Sequence, residues 1–524
     1  MSATAAATDG GGAGAGQPTL TVARRGLLTL AVMGGTVMQI LDSTIANVAL
    51  PHMQAALSAT QDSITWVLTS YIVASAVAIP ITGWLSDRIG SRQLFLLSIS
   101  IFIMASMLCG IATSLPEMVI FRLLQGVGGA FIAPLAQTVL LDINPRSQHA
   151  RAMSIYGMGV MVGPIMGPIL GGWLTENLSW RWVFYVNLPI GLLCLAGLWA
   201  WLPVKPTSRR PFDGRGFALL ALGLMSLQLM LDRGGQVDWF DSWEIWLEAG
   251  ITVSCFWMFI VHLLTGRIPI FPPAMLADRN MVTGTLFLFI LGLIPMAGMA
   301  LLPPFLQNLL GYPVLETGEL LAARGLGVLG SMWLAGRFLQ RVDPRINVFC
   351  GFVLIAWSLQ DMARWSLDMD WQPIVWSGLV QGVGIGLTFV PLNIMSFATL
   401  PPQYRTDAAS LLSLSRNIGS SIGISVTTTL LARNIQVSHA DISEHVTQFN
   451  LPVDPNMALR IGEAGDMAMA ALNGEINRQA AMIAYINDFH VMMWATIAVI
   501  PLILLLRRPK GSMADADELP HVVE

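Results

Sequence analysis

Charged side chains are scarce in this chain of 524 residues. Aspartate, glutamate, lysine and arginine together make up 11% of it, whereas soluble domains carry roughly 25%. The net charge of −4 gives no reason to expect a nucleic acid partner. The four cysteines each stand alone in an apolar run, so neither a disulfide framework nor a metal site is predicted.

Motifs for chemical catalysis are missing as well. No segment reads GxxxxGK[ST], the loop that holds nucleotide phosphates in ATP-driven machines. No arrangement of a nucleophile with a base stands out, and neither does a cofactor motif. The sequence therefore predicts neither an enzyme nor a cofactor.

Apolar residues are abundant. Hydrophobic residues form 54% of the chain, and the mean hydropathy is +0.64. About 20 apolar residues cross the core of a bilayer as one helix. The chain is thus predicted to be an all-α integral membrane protein with fourteen spans, at 27–49, 63–85, 93–113, 117–140, 151–174, 182–202, 214–232, 244–264, 282–306, 317–339, 346–366, 372–398, 406–432 and 489–507.

The basic residues predict the orientation of these spans. An even number of spans places both termini on one side of the membrane. Nineteen of the 28 lysines and arginines fall on that side, and membrane proteins keep such residues in the cytoplasm. Both termini are therefore expected to be cytoplasmic, as tails at 1–26 (disordered) and 508–524.

One stretch of the chain occurs twice. LLQGVGGAFIAPL from Leu123 returns as LVQGVGIGLTFVPL from Leu379, at a constant shift of 256. Two halves that run in the same direction predict a parallel repeat and alternating access by rocking of one half on the other. The halves are predicted as six-helix bundles at 27–202 and 281–507, and the helix pair and linkers at 203–280 as an insertion.

A glycine and proline run marks the fifth span. Glycine every fourth residue clears one helix face for a closely packed neighbour, and the prolines remove backbone donors and bend the helix. A helix that moves against its partner uses both devices. The run comprises Gly159, Gly163, Pro164, Gly167, Pro168 and Gly171.

Few ionisable residues lie inside the spans, where they are functional candidates. Asp42 in the first span and Arg122 in the fourth lie at a similar depth. They form either a proton switch, in which only the aspartate changes charge, or a static ion pair. Arg324 and Arg416 lie near mid-depth without an acidic partner. Each either binds helix carbonyls or lines a cationic cavity for anionic compounds.

Six motifs, in order along nearly the whole chain, resemble the major facilitator superfamily and its fourteen-span drug:proton antiporters, especially the EmrB-type permeases. They are LDSTIANVALP (41–51), GWLSDRIGSR (83–92), RLLQGVGGA (122–130), GVMVGPIMGPILGG (159–172), LDRGGQVDWF (231–240) and SLSRNIGSSIGISVTTT (413–429). One departure is Ser91, where the loop motif usually has a basic residue.

The resemblance implies proton-driven efflux of small amphiphilic drugs across a bacterial inner membrane. It implies proton coupling at Asp42 and Arg122, and an antiporter motif in the glycine and proline run. The implied conformational latch comprises Gly83, Asp87, Arg88, Gly90 and Arg92. The substrate cavity is expected to include Asn47, Gln125, Arg324, Gln381, Asn393, Arg416 and Asn417.

The resemblance also implies partners. EmrB-type permeases work with an EmrA-like periplasmic membrane-fusion adaptor and an outer-membrane channel. The acidic segment 434–488 is the longest predicted periplasmic loop, and it is either a solvated loop or the surface that docks the adaptor. The alternatives for the whole chain are a stand-alone exporter, a nutrient transporter or a receptor of the same fold.

Overall fold

A computed structural model of the chain describes residues 18–208, 210–266, 269–338, 343–446 and 466–506. Within these ranges the regular structure is entirely helical, as the sequence predicts. We number the fourteen long helices along the chain. They are α1 (Arg25–Ala56), α2 (Asp62–Ile89), α3 (Ser91–Ile111), α4 (Leu115–Ile143), α5 (Arg146–Asn177), α6 (Trp182–Trp201), α7 (Gly214–Gln236), α8 (Trp243–Thr265), α9 (Arg279–Leu309), α10 (Val314–Phe338), α11 (Pro344–Met362), α12 (Trp371–Ala398), α13 (Arg405–His445) and α14 (Asp466–Val499).

Eleven of these helices are long and apolar enough to cross a membrane when the described residues are searched. The other three, α10, α11 and α13, lie where the sequence predicts spans. Their polar content separates them from the rest: α10 begins with acidic residues and carries Arg324 within it, and α13 is rich in serine and threonine. Packing against neighbouring helices, rather than apolar character alone, holds such segments in a bundle.

The same packing pattern occurs in both halves. In the first half α1 packs on α5 and α6, and α4 packs on α2 and α3. In the second half α9 packs mainly on α13, α14 packs on α13 and α11, and α12 packs on α10 and α11. Helix α5 also packs along α10, and this contact joins the two halves.

The inserted pair lies at the side of the molecule. Helix α7 packs on α2 and on α13, whereas α8 packs mainly on α7. The outer surface of α8 exposes large apolar side chains, among them Trp243, Trp246, Trp257 and Leu264. In a bilayer this surface faces lipid, because the acyl chains of the lipids cover exposed apolar side chains.

Two helices extend past the bundle where the sequence predicts a loop at 434–488. Helix α13 has 41 residues, or about 60 Å at ~1.5 Å per residue, twice the ~30 Å of a bilayer core. His439 of α13 contacts Asn473 of α14, with Nε2 2.9 Å from Oδ1. The described parts of this segment are therefore helical; its residues 447–465 lie outside the described ranges.

Candidate functional site

Asp42 lies at the centre of a buried polar network in the first half. Its carboxylate is completely buried in α1 and accepts three side-chain hydrogen bonds. Arg122 Nη1 donates to Oδ2 at 2.7 Å, while Gln125 Nε2 and Asn187 Nδ2 donate to Oδ1 at 2.8 and 2.6 Å. Three donors on one carboxyl group are the arrangement of an ionised carboxylate, which accepts and does not donate.

Arg122 is held from several sides as well. Its Nε donates to the carbonyl of Val67 at 2.9 Å, and its guanidinium carbon lies 4.4 Å from the centre of the Tyr71 ring. The side chain is fully buried, and Nη2 makes no hydrogen bond with the described residues. The sequence predicts the pair of Asp42 with Arg122, but Asn187 and Tyr71 carry no signal that marks them before the helices are packed.

A cavity of about 420 Å³ lies between the two halves and reaches this network. Arg122 borders it, as do three residues that the sequence assigns to the substrate cavity: Asn47, Arg416 and Asn417. The guanidinium carbon of Arg416 lies 6.0 Å from the ring centre of Phe389. A largely apolar chamber with a few polar and cationic groups suits an amphiphilic ligand.

The inserted helix α7 forms part of the cavity wall. Four of its residues line the chamber: Leu224, Leu227, Gln228 and Leu231. Sequence reasoning treats this pair as an insertion without a counterpart in the repeat and assigns none of these residues to the cavity. Their spacing of three and four residues places them on one helix face, and this pattern is the signal that could have found them.

Four other residues assigned to the cavity are buried away from its lining. Gln125 binds Asp42 as described, and Gln381 is fully buried with both amide atoms unbonded to the described residues. Asn393 Oδ1 accepts from Gln137 Nε2 at 2.5 Å. Because these two positions differ by 256, the shift of the repeat, they meet where the two halves face each other.

Arg324 is the fourth of these residues and contrasts with Arg122. It is 5% exposed, and Nη2 donates to the carbonyl of Pro295 at 2.8 Å. Nη1 makes no hydrogen bond with the described residues. The guanidinium therefore binds a helix carbonyl, one of the two arrangements expected, and no carboxylate pairs with it in the described part of the chain.

The four glycines of the predicted run, Gly159, Gly163, Gly167 and Gly171, pack on α1. A β-carbon added at Gly159, Gly163 or Gly167 would meet Met33, Ile40 or Thr44. Thr44 Oγ1 also donates to the carbonyl of Gly163 at 3.2 Å. Between the glycines, Pro164 lines the cavity, so the helix that packs on α1 through its glycines also forms part of the chamber wall.

The segment predicted as a latch lies at the end of the helices where α1 begins, which we call the N-terminal face. Gly83 of α2 lies so close to Asp407 of α13 that any side chain there would overlap it. Arg210, in the linker before α7, binds both oxygens of Asp407, at 2.9 and 3.1 Å, and its Nη1 lies 3.9 Å from Asp87 Oδ2. Burial alone would lower the pKa of Arg210, but its bonds to Asp407 and the nearby carboxylates raise it.

The other latch residues have separate environments. Arg88 is exposed, and Arg92 donates to the carbonyl of Trp199 at 2.5 Å. Gly90 has a φ of +93°, a backbone conformation that favours glycine at the turn between α2 and α3. The resemblance implies that Asp87 belongs to the latch, but the sequence does not identify Arg210 or Asp407 as its neighbours.

A second tie joins the halves at the same face. Arg405 of α13 donates to Asp142 Oδ1 of α4 at 2.7 Å, and Lys205 of the linker contacts the other oxygen of Asp142. Asp142 is 1% exposed and Arg405 4% exposed. Together with Arg210, these contacts close the N-terminal face between the two halves.

Comparison with known proteins gives consistent results. A family model described as Major Facilitator Superfamily matches residues 32–424. The chain is 34% identical to the multidrug export protein EmrB of Haemophilus influenzae over 492 residues, 93% of this chain and 96% of that one. It is 34% identical to the fatty acid resistance protein FarB of Neisseria gonorrhoeae over 499 residues, 94% and 98% of the two chains.

A solved structure with the same arrangement of helices is the human organic anion transporter MFSD10. It covers 90% of this chain and 99% of its own, with a TM-score of 0.57 and 14% identity. Because so low an identity carries no information about substrates, this likeness concerns the fold alone.

Proposed function

Because the chain belongs to the major facilitator superfamily and to its EmrB-type multidrug exporters, we propose that it exports amphiphilic toxic compounds in exchange for protons. The fold and the family resemblance expected from the six motifs are confirmed. The chain is thus a membrane transporter. The observation that carries the proposal is the position of Arg122, which binds Asp42 and also borders the cavity.

In the proposed cycle Asp42 is the proton carrier. The ionised carboxylate ties α1 to Arg122 and Gln125 on α4 and to Asn187 on α6. Protonation makes the bonds from Gln125 and Asn187 neutral, and such bonds are roughly half as strong as charge-assisted ones. It also leaves the guanidinium of Arg122, which stays charged, without an ionised partner. Helix α1 is then free to shift on the glycine face of α5. Antiport results if the loaded cavity changes sides with Asp42 ionised and the empty cavity returns with Asp42 protonated.

The proposed substrates are amphiphiles, with weak acids and anions favoured. Arg416 borders the cavity, and Arg324 provides a further buried cation in the second half. A cation in a largely apolar chamber attracts an anionic head group, while the walls take the apolar tail. The relative FarB is named for resistance to fatty acids, which are compounds of this class.

The proposed topology follows the distribution of basic residues. The N-terminal face, with Arg210, Lys205 and Arg405, faces the cytoplasm of a bacterial inner membrane, and both termini lie on that side. Residues 27–202 and 281–507 are the two moving bundles, and 203–280 is the inserted pair with its linkers. Contacts across the N-terminal face belong to a state that is closed to the cytoplasm.

The projecting ends of α13 and α14 are the proposed docking surface for an EmrA-like adaptor, which would connect the permease to an outer-membrane channel. These helices extend well past the bundle on the face opposite the termini. Deletion of 440–480 is expected to have two effects. The variant should no longer capture the adaptor in a pull-down, and cells that carry it should lose resistance to toxic compounds. A deletion variant that keeps both properties would make the protein a stand-alone exporter.

The exchange itself is tested with Asp42→Asn in proteoliposomes. Ethidium and oleate serve as cationic and anionic probes, and a pH-sensitive dye in the lumen reports proton movement. The variant is expected to lose probe-driven proton movement, because an amide at this position cannot titrate. Asp361→Asn, a change outside the network, is the control and should keep it. Wild-type proton movement in Asp42→Asn would overturn the assignment of the carrier.

A further inference from the structure

Four aspartates are buried among the described residues, and one of them is unpaired. Asp42 binds Arg122, Asp142 binds Arg405, and Asp407 binds Arg210. Asp488 of α14 is 1% exposed but forms no ion pair with a described residue. An isolated carboxylate is costly to bury in such a place, whereas the neutral acid is far easier to bury.

The surroundings of Asp488 are aromatic. Tyr485 and Phe489 are four residues apart and therefore lie on one face of α14. Asp488 is three residues after Tyr485 and directly precedes Phe489. Phe305 at the end of α9 lies 5.0 Å from the Tyr485 ring, and Trp365 after α11 lies 5.7 Å from the Phe489 ring, measured between ring centres. These four rings form a cluster beside Asp488 near the ends of the helices opposite the termini, which we call the aromatic shell.

The polar contacts around the carboxyl group are few. The side chain of Asn434 on α13 is a polar neighbour, yet neither oxygen of Asp488 has a hydrogen bond of ordinary geometry to a described residue. The indole N–H of Trp365 is likewise buried and unbonded within those residues. The amide of Asn434 can serve both forms of the acid, because its N–H groups donate to a carboxylate and its carbonyl accepts the proton of the neutral acid. Burial favours the neutral form at this position, and the contact with Asn434 favours the ionised form.

Charged groups on the helices around Asp488 are engaged elsewhere or exposed. Helix α14 packs on α13, α11 and the end of α9. Arg433 of α13 is exposed, His439 binds Asn473, and His490 binds the carbonyl of Ile486. Asp361 and Arg364 lie together at the end of α11. None of these groups forms an ion pair with Asp488.

We propose that Asp488 is a second proton-binding site, located in the C-terminal half and separate from the Asp42 network. In the state described here it holds its proton as a neutral acid. It releases the proton when rearrangement of α13 and α14 admits water to the aromatic shell. Because the site lies towards the face opposite the termini, that face is the one with which it exchanges protons. The role of this site in transport rests on the proposed proton coupling, whereas its protonation does not depend on that proposal.

The test is infrared spectroscopy of the purified full-length protein without substrate, which makes it independent of transport. A protonated carboxyl group gives a C=O band that shifts in D2O. We expect Asp488→Asn to remove one such band at neutral pH, and Asp361→Asn to leave it. The band of the wild type should disappear reversibly at alkaline pH while the helical circular dichroism is retained. A spectrum unchanged by Asp488→Asn, or a band that persists until the protein unfolds, would overturn the proposal.

A second variant covers the case in which Asp488→Asn does not fold. Asn434→Ala keeps the acid but removes its polar neighbour, so the C=O band is expected to move to the frequency of a less strongly hydrogen-bonded acid. Ser438→Ala, one turn further along α13, is the matched control and should leave the band in place. An unmoved band in Asn434→Ala would contradict the arrangement on which the proposal rests.

Discussion

In the first half of the molecule, Arg122 extends from α4 towards α2 and lies over the ring of Tyr71. In the second half, Arg324 extends from α10, the helix that corresponds to α2. The correspondence is visible at two glycines: Gly126 packs against the carbonyl of Tyr71, and Gly382 packs against the carbonyl of Arg324. Both halves thus hold a buried cation at the same place in the repeat. The cation comes from α4 in the first half and from α10, the counterpart of α2, in the second.

The neutralisation of these two cations differs. Arg122 has the carboxylate of Asp42 at 2.7 Å, whereas Arg324 has the carbonyl of Pro295 at 2.8 Å. A carboxylate can gain a proton and a carbonyl cannot, so only the first half can switch its charge at this position. The second half presents a fixed positive charge. In the proposed mechanism the first copy serves for titration and the second for attraction of anions.

The largest effect is expected where the paired cation is removed. Arg122→Met leaves Asp42 buried and uncompensated, which costs about 3–5 kcal/mol. We expect a much lower yield of folded protein and a large drop in thermal stability. Both are measured by size-exclusion chromatography with fluorescence detection. The double variant Asp42→Asn with Arg122→Met should recover much of this loss, since no charge is left unpaired. Equal stability of the single and double variants would show that the pair is not coupled.

The helix seams of the two halves differ in a similar way. A β-carbon at Gly163 would meet the side chain of Ile40 first, whereas one at Gly419, the corresponding residue, would meet the backbone carbonyl of Phe289. A side chain can adopt another rotamer, but a helix backbone must move as a whole. At this position the α9–α13 seam is thus closed backbone to backbone, whereas the nearest atoms across the α1–α5 seam belong to a side chain.

Alanine substitutions at these two glycines measure the difference. Overpacking typically costs about 1–3 kcal/mol, and we expect Gly419→Ala near the upper end and Gly163→Ala near the lower. Gly172→Ala is the matched control, because a β-carbon there meets no atom within 4 Å. Midpoints of thermal unfolding decide the order. A greater loss of stability in Gly163→Ala than in Gly419→Ala would remove the distinction between the seams.

Much of this arrangement could be predicted from the sequence, because it depends on local patterns. Apolar length predicts the helices, the shift of 256 predicts the repeat, and similar depth predicts that Asp42 meets Arg122. Asn187, Arg210 and Asp407 acquire their partners only when distant helices pack together. Asp488 illustrates the limit most clearly: counting apolar residues assigns it to a polar loop, but an extended α14 buries it. Hydropathy measures composition along one chain segment, whereas burial depends on the neighbours of that segment.

The smallest effect on stability is expected where the unpaired cation is removed. Arg324→Met replaces a buried charge that has no carboxylate partner among the described residues with an apolar side chain of similar length. Such a change is neutral or stabilising by about 1 kcal/mol. Its effect on transport should be selective. In proteoliposomes we expect export of oleate to fall severalfold while export of ethidium is maintained, because only the anion gains from a fixed positive charge. Arg364→Met, at the exposed end of α11, is the control for loss of charge alone. Equal losses for both probes in Arg324→Met would mean that Arg324 supports the helix packing rather than the choice of substrate. The contrast with Arg122 would then lie in the stability of each half and not in its function.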